Sequence, residues 1–284
     1  MPELPEVETV CRGLLPFMAG RTIVRADIRR PDLRVPFPPR LAKTLESRRV
    51  ETLTRRAKYI LVHTGGDVLV LHLGMSGQVR MVADAKTYKP AKHDHMVLYL
   101  DDGGAVVFHD PRRFGMVLFL AVAKMESHPS FRALGPEPLD SAFTGKMLHK
   151  SLAGRRVGIK QALLDQHILA GVGNIYASEA LHMAGIDPRR PAADLTPRAC
   201  NALAAAICDV LERAIAAGGS SLKDYRQADG QLGYFQHSFS VYGRDGEPCP
   251  RCRTGAKKKG SKPAFIRKIV QAGRATYFCP RCQT

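Results

Sequence analysis

Four of the seven cysteines fall as two matched knuckles, Cys249-Pro-Arg-Cys252 and Cys279-Pro-Arg-Cys282. A CxxC turn brings two thiolates to one point, and two such turns supply the four sulfurs of a tetrahedral zinc site. The alternatives are a redox dithiol or two disulfides. A redox CxxC would call for a thioredoxin-like βαβ context, which is missing, so the reading is one structural Zn²⁺ ion held by Cys249, Cys252, Cys279 and Cys282. The spacer between the knuckles holds 26 residues, longer than the ~15–20 of common zinc ribbons. Cys11, Cys200 and Cys208 lie in apolar helical patterns and are read as core residues.

The start of the chain, MPELPEVETV, offers a second kind of chemistry. Pro5 suits the first turn of a helix, and Glu6 and Glu8 suit the positive end of its dipole. Neither argument accounts for Pro2 or Glu3. A third stretch, Gly171-Val-Gly-Asn174, opens a helix whose free N–H groups and dipole favour a phosphate, although GxG before a helix is weak evidence alone.

These residues need a scaffold, and the 284-residue chain can build two or three domains. Lys plus Arg number 43 against 26 Asp plus Glu, a net +17, which favours a polyanionic partner, either nucleic acid or an acidic membrane surface. The basic residues are spread along the chain, as a folded basic surface requires. No apolar run reaches the length of a membrane span, and the first twenty residues carry three glutamates and lack a signal-peptide core, so an intracellular location is expected. Val7, Val10, Cys11, Leu14 and Met18 recur at helical spacing before Gly20. Short β-like runs follow (TIVRADI, VETLTRR, KYILVHT, DVLVLHLG, MVLYL, AVVFHD), with turns at Gly65-Gly66-Asp67 and at Asp101-Asp102-Gly103-Gly104. Residues 1–135 thus read as a β-sandwich with a leading helix. Helical stretches are expected near 144–152, 158–165, 174–184 and 197–217, then a polar, Gly- and Ser-rich loop over 218–240.

Taken in order, MPELPEVE, RRAKY (55–59), HLGMSG (72–77), KHDH (92–95), DPRRFG (110–115), LGPEPL (134–139), GVGNIYASE (171–179), GGSSLKDY (218–225), VYGRDGEPC (241–249) and TYFCPRCQ (276–283) make the chain resemble the bacterial formamidopyrimidine-DNA glycosylases of the Fpg/Nei superfamily over nearly its whole length. The resemblance implies an α+β multidomain protein: an N-terminal catalytic β-sandwich with flanking helices (1–135), a helix–two-turns–helix domain with a lesion-recognition loop (136–240) and a C-terminal β-hairpin zinc ribbon (241–284). It implies a bifunctional glycosylase and AP lyase of base excision repair. The expected partner is duplex DNA containing oxidised purines, and the expected setting is a monomer in the bacterial cytoplasm. Segment 256–265, with Lys257, Lys258, Lys259 and Lys262, departs from the family pattern and is expected to be a mobile basic loop.

The resemblance also assigns roles. Pro2, freed by removal of Met1, would form an imine with the sugar C1′; Glu3 would serve as acid and base, with Glu6 supporting the site. Lys58, His72, Asn174 and Arg274 would clamp phosphates, with Lys58 and Arg274 also assisting proton transfers. His93 and Arg155 match further DNA-contacting positions. Met75, Arg112 and Phe114 would fill the gap left by an everted nucleotide, Arg112 meeting the orphaned base. For His72, Met75 and Phe114 the plain alternative is core packing. Two rival functions are an endonuclease VIII-like glycosylase for oxidised pyrimidines and a non-catalytic zinc-ribbon DNA-binding protein. PELPE, DPRRFG and the long 218–240 loop favour the purine branch.

Overall fold

The computed structural model describes residues 1–221, 225–254 and 264–284. Most of the basic insertion, 256–263, lies outside the described residues. The chain divides into two compact units, one of residues 1–132 with 215–236 and one of residues 133–214 with 237–284.

In the first unit, helix α1 (Leu4–Met18) begins as its residues dictate. Pro5 needs no partner for a missing N–H in the first turn, and the Glu6 carboxylate reaches back to accept the Glu3 N–H at 2.9 Å. Leu4, Val7, Val10, Leu14 and Met18 form its buried stripe. Pro16 removes a ladder donor, and the helix stops two residues later. Strand β1 (Ile23–Ile28) and the short helix α2 (Leu41–Leu45) follow.

Seven further strands, β2 (Thr52–Arg56), β3 (Tyr59–His63), β4 (Asp67–His72), β5 (Gln78–Val82), β6 (Asp94–Leu100), β7 (Ala105–His109) and β8 (Met116–Ala121), complete two antiparallel sheets of order β1-β6-β7-β5 and β2-β3-β4-β8. One core draws on both sheets and on α1: Ile60, Leu69 and Leu71 from one, Met96, Leu98 and Phe108 from the other, Val10 and Leu14 from the helix. That is a sandwich. The turn at 101–104 joins β6 to β7 as expected, Leu98 facing Val106. The sequence patterns do not single out β5 and β8. In both, one residue is fully buried, Val79 or Val117, and all the others are half-buried, so their alternation is weak.

The second unit carries helices α3 (Gly145–Leu152), α4 (Ile159–Leu164) and α5 (Asn174–Ala184), with α6 (Pro197–Ala216) running out of it. These match the expected helical stretches to within two residues. Gly185 closes α5 in the left-handed region, φ 72°, with its N–H on the His182 carbonyl at 3.1 Å. The ribbon comprises helix α7 (Pro250–Thr254) and strands β9 (Arg267–Gln271) and β10 (Arg274–Phe278). The last two residues of segment 256–265 belong to the ribbon: the Ala264 carbonyl accepts the Cys249 N–H at 2.8 Å and Phe265 bridges to Pro248.

Candidate active site and nucleic-acid interface

Chain ends usually fray, yet residues 2–7 are buried. Glu6 is the anchor. One carboxylate oxygen takes the Glu3 N–H, and the other takes the Ser220 N–H at 2.8 Å. The same acid thus fixes the residue beside Pro2 and the start of the 218–240 loop. Gly219, φ 81°, lies so close that a Cβ there would meet the Glu6 side chain at 3.1 Å. Glu6 therefore does more than favour a helix dipole.

Glu3 is 3% exposed and Lys58 7%. Lys58 stands on the tight link between β2 and β3, next to Ala57 in the left-handed region at φ 52°. That link is tied to α1 by Arg55, whose Nε donates to Glu8 Oε2 at 2.8 Å. Burial alone would raise the Glu8 pKa, but hydrogen bonds from Arg12 and Arg55 hold it below the ordinary carboxylate value. The helix that follows Pro2 and Glu3 and the hairpin bearing Lys58 are joined by a charged pair.

His72 ends β4 beside Tyr59, ring centroids 4.9 Å apart. Desolvation, then the charges of Lys58 and Arg34, push its pKa down to about 4. The ring is therefore neutral near pH 7. Its Nδ1 accepts the Gly74 N–H at 3.1 Å, which leaves the hydrogen on Nε2 as a neutral donor.

Met75, Arg112 and Phe114, the three residues expected to fill the gap of an everted nucleotide, are outside the core. Met75 is 40% exposed and Phe114 44%, with Arg112 exposed and its guanidinium 5.0 Å from the Phe114 ring centroid. This excludes core packing for both apolar side chains. Their loops are tied to a buried carboxylate. Asp110, fully buried, accepts Ser76 Oγ–H at 2.7 Å through one oxygen and the Gly115 N–H at 2.7 Å through the other. The Arg112 N–H sits 3.3 Å from the same carboxylate. Gly74, φ 59°, is required where the two loops touch, since a Cβ would lie 2.3 Å from the Phe114 carbonyl carbon. His93, partly buried, lies edge-on to His95 and His109, whose Nδ1 bonds Asp94 at 2.7 Å.

In the second unit, Arg274 follows a two-residue turn, Ala272-Gly273, with φ 46° and 73°. Positive φ at both positions is the turn that matches strand twist, and it sets Arg274, exposed, opposite Gln271. Asn174 opens α5. Its Nδ2 donates to the Ala275 carbonyl at 3.0 Å and lies 3.4 Å from the Tyr242 hydroxyl, while its buried Oδ1 has no partner. Arg155, more exposed, donates to the Ser151 carbonyl at 3.0 Å and pairs loosely with Asp165 at 3.7 Å.

Three residues that position these groups escape a reading by motif. Asp110 lies inside DPRRFG, but only the structure shows it bracing both the Met75 and the Phe114 loops. Lys160 is 1% exposed; its Nζ donates to the Ala275 carbonyl at 2.9 Å and to Thr276 Oγ1 at 2.8 Å, pinning β10 beside Arg274. A lysine amid Ile159, Ala162 and Leu163 was the available signal. Glu179 gathers the N–H groups of Ser240, Val241 and Tyr242 at 2.8, 3.0 and 2.8 Å.

The four knuckle sulfurs lie within 4.8 Å of one another, with Cys249–Cys282 at 3.7 Å and Cys252–Cys279 at 3.6 Å. Tetrahedral zinc with Zn–S bonds of about 2.3 Å has S···S edges of about 3.8 Å. The cluster fits one zinc ion. Cys11 and Cys200 are buried as expected, burial pushing the Cys11 thiol up to about 12, whereas Cys208 is half-buried with its Sγ 3.1 Å from the Pro138 carbonyl.

Comparison with known proteins decides the family. Residues 1–117 match the formamidopyrimidine-DNA glycosylase N-terminal domain, 134–226 its H2TH domain and 264–284 the zinc finger found in FPG and IleRS. A formamidopyrimidine-DNA glycosylase of Azorhizobium caulinodans is 51% identical, and one of Paracoccus denitrificans 53%, each alignment covering 100% of both chains. The chain belongs to the formamidopyrimidine-DNA glycosylase family. It is accordingly a DNA glycosylase of base excision repair and an AP lyase. Among solved structures, the MutM (FPG) protein of Thermus thermophilus has a TM-score of 0.84 at 41% identity, covering 99% of this chain and 98% of that one. A Lactococcus lactis FPG mutant in complex with Fapy-dG-containing DNA has a TM-score of 0.88 at 34% identity, covering 100% of both. Among the described residues, no helix is long and apolar enough to cross a membrane.

Proposed function

We propose that this glycosylase removes oxidised purines, 8-oxoguanine and formamidopyrimidines, from duplex DNA through a covalent imine on Pro2. Removal of Met1 frees a secondary amine, and α-amines have a reference pKa of about 7.7–8.0, so a useful fraction is unprotonated near neutrality. The nitrogen attacks the sugar C1′ and the bond from C1′ to the base breaks, the base leaving with a proton. Glu3 donates a proton to the ring oxygen as the sugar opens, giving a C1′ iminium. Because proline nitrogen carries no second hydrogen, that iminium cannot shed its charge, so it acidifies C2′. Loss of a C2′ proton expels the 3′ phosphate, and a second elimination expels the 5′ phosphate, with Lys58 and Arg274 moving protons. His72 contributes a neutral N–H to a phosphate, alongside Asn174, His93 and Arg155. Met75 and Phe114 wedge the stack open while Arg112 meets the base left unpaired, preferring cytosine.

The observation that most supports this reading is the fixing of the chain start: Glu6 holds the Glu3 N–H and Ser220 N–H at once, so residue 2 is anchored where a frayed end would be useless. Borohydride should trap a covalent adduct with a duplex carrying 8-oxoguanine opposite C. Pro2→Gly should weaken excision, and Glu3→Gln should bind the duplex yet fail to excise. Active protein that retains Met1, or parental excision by Glu3→Gln, would overturn the assignment.

A further inference from the structure

His182 takes no part in the chemistry above, yet it is one of the most enclosed polar side chains of the second unit, 4% exposed on a helix, α5, buried all round from Ile175 to His182. Its Nε2 lies 3.4 Å from Cys249 Sγ and 3.9 Å from Cys282 Sγ. Those sulfurs are its polar side-chain partners, and in a zinc centre both are thiolates that can only accept. A buried imidazole that meets acceptors alone must present a hydrogen to them, because an unmade bond inside the protein costs the full desolvation of the group. The same turn of α5 is fastened to the ribbon by its backbone: Arg251 Nη1 donates to the His182 carbonyl at 2.9 Å, and Gln283 Nε2 to the Ile186 carbonyl at 2.9 Å. The ring is therefore held against the sulfurs by covalent and hydrogen-bonded neighbours on both sides.

We propose that His182 is a positioning residue of the zinc centre, donating its Nε2–H to the Cys249 thiolate with Cys282 as the secondary acceptor, and so lowering the charge and nucleophilicity of those sulfurs. Four thiolates around Zn²⁺ leave a net double negative charge in a small apolar ribbon. A hydrogen bond to sulfur withdraws electron density, which makes the thiolate a poorer target for electrophiles. Partners of this kind outside the ligand shell typically change metal affinity about 10–100-fold.

The test uses the full chain loaded with metal. In the cadmium-113 form of the ¹⁵N-labelled parent, a long-range proton–nitrogen spectrum should show His182 hydrogenated at Nε2, with coupling from that proton to the metal through the sulfur. A ring hydrogenated at Nδ1 would overturn the proposal without any variant. In the cobalt form, His182→Phe should shift the sulfur-to-metal charge-transfer band to longer wavelength. In the zinc form, zinc transfer to a chromogenic chelator in the presence of N-ethylmaleimide should accelerate about tenfold or more, and His182→Gln, which keeps a donor, should recover much of both effects. A folded His182→Phe protein with the parental band and release rate would show that the ring only fills space.

Discussion

Met75, Arg112 and Phe114 stand on loops tied to the buried carboxylate of Asp110, inside a unit whose core spans two sheets and a helix. Arg274 stands on a ribbon whose own core is Val241, Cys249, Ile266 and Cys279, half of it zinc ligands. A large apolar core can afford to fix its working residues with internal acids; a ribbon of this size cannot bury enough surface and relies on metal. The difference predicts separable failure. Chelating the zinc, or Cys279→Ala, removes a binding energy of about 10–16 kcal/mol from the ribbon fold. Hydrogen exchange should then show protection lost over 264–284 and retained in β3, β4 and β6. Loss of protection throughout would mean the two units stand or fall together.

The next largest effect tests the other side of the comparison. Asp110→Ala leaves the Gly115 and Arg112 N–H groups and the Ser76 hydroxyl without their acceptor, and we expect a loss of about 3 kcal/mol in urea unfolding. Zinc content should be unchanged, whereas discrimination between damaged and undamaged duplex should collapse. A stable variant with intact discrimination would show that the wedge loops do not need their carboxylate. Arg112→Ala should reduce the preference for cytosine opposite the lesion by about tenfold, since a good base contact contributes about 1–3 kcal/mol. An unchanged opposite-base profile would place Arg112 on a phosphate instead.

The smallest effect concerns His72. Its folded pKa of about 4 lies below the ordinary 6.5, so between those values the unfolded chain binds the proton and the folded one does not. The stability linked to the neutral ring is complete above pH 6.5 and is lost as pH falls toward 4, amounting to about 1 kcal/mol between pH 7 and 5.5. His72→Gln should flatten that slope. The His72 ring proton should show no titration by NMR above pH 5; a midpoint near 6.5 would mean that the ring is solvated and binds phosphate as a cation.

Much of this was legible from residue types. The CxxC knuckles meet because four thiolates at matched spacing have few other uses, and the hairpin at 101–104 follows from turn chemistry between two alternating runs. The exposure of Met75 was foreseeable from its place between Gly74 and Ser76. Other features depend on distant residues and leave no local trace. Ser220 meets Glu6 from more than two hundred residues away, and His182 reads as one more buried residue of α5 until Cys249 is set beside it. Strands β5 and β8 were obscure for a different reason: apart from Val79 and Val117 every residue in them is half-buried, so no two-residue period is imposed.

The turn that carries Arg274 has a consequence for how this family can vary in length. Successive side chains on a strand point to opposite faces, so one extra residue between Gln271 and Arg274 would turn the guanidinium to the other side of the hairpin. Even a replacement of Gly273 by a β-branched residue would strain the positive φ on which the register rests. Growth of the ribbon is tolerated only where no register is counted. In the sequence, this chain's additional lysines, Lys257, Lys258, Lys259 and Lys262, come before Arg267, the first residue paired in β9.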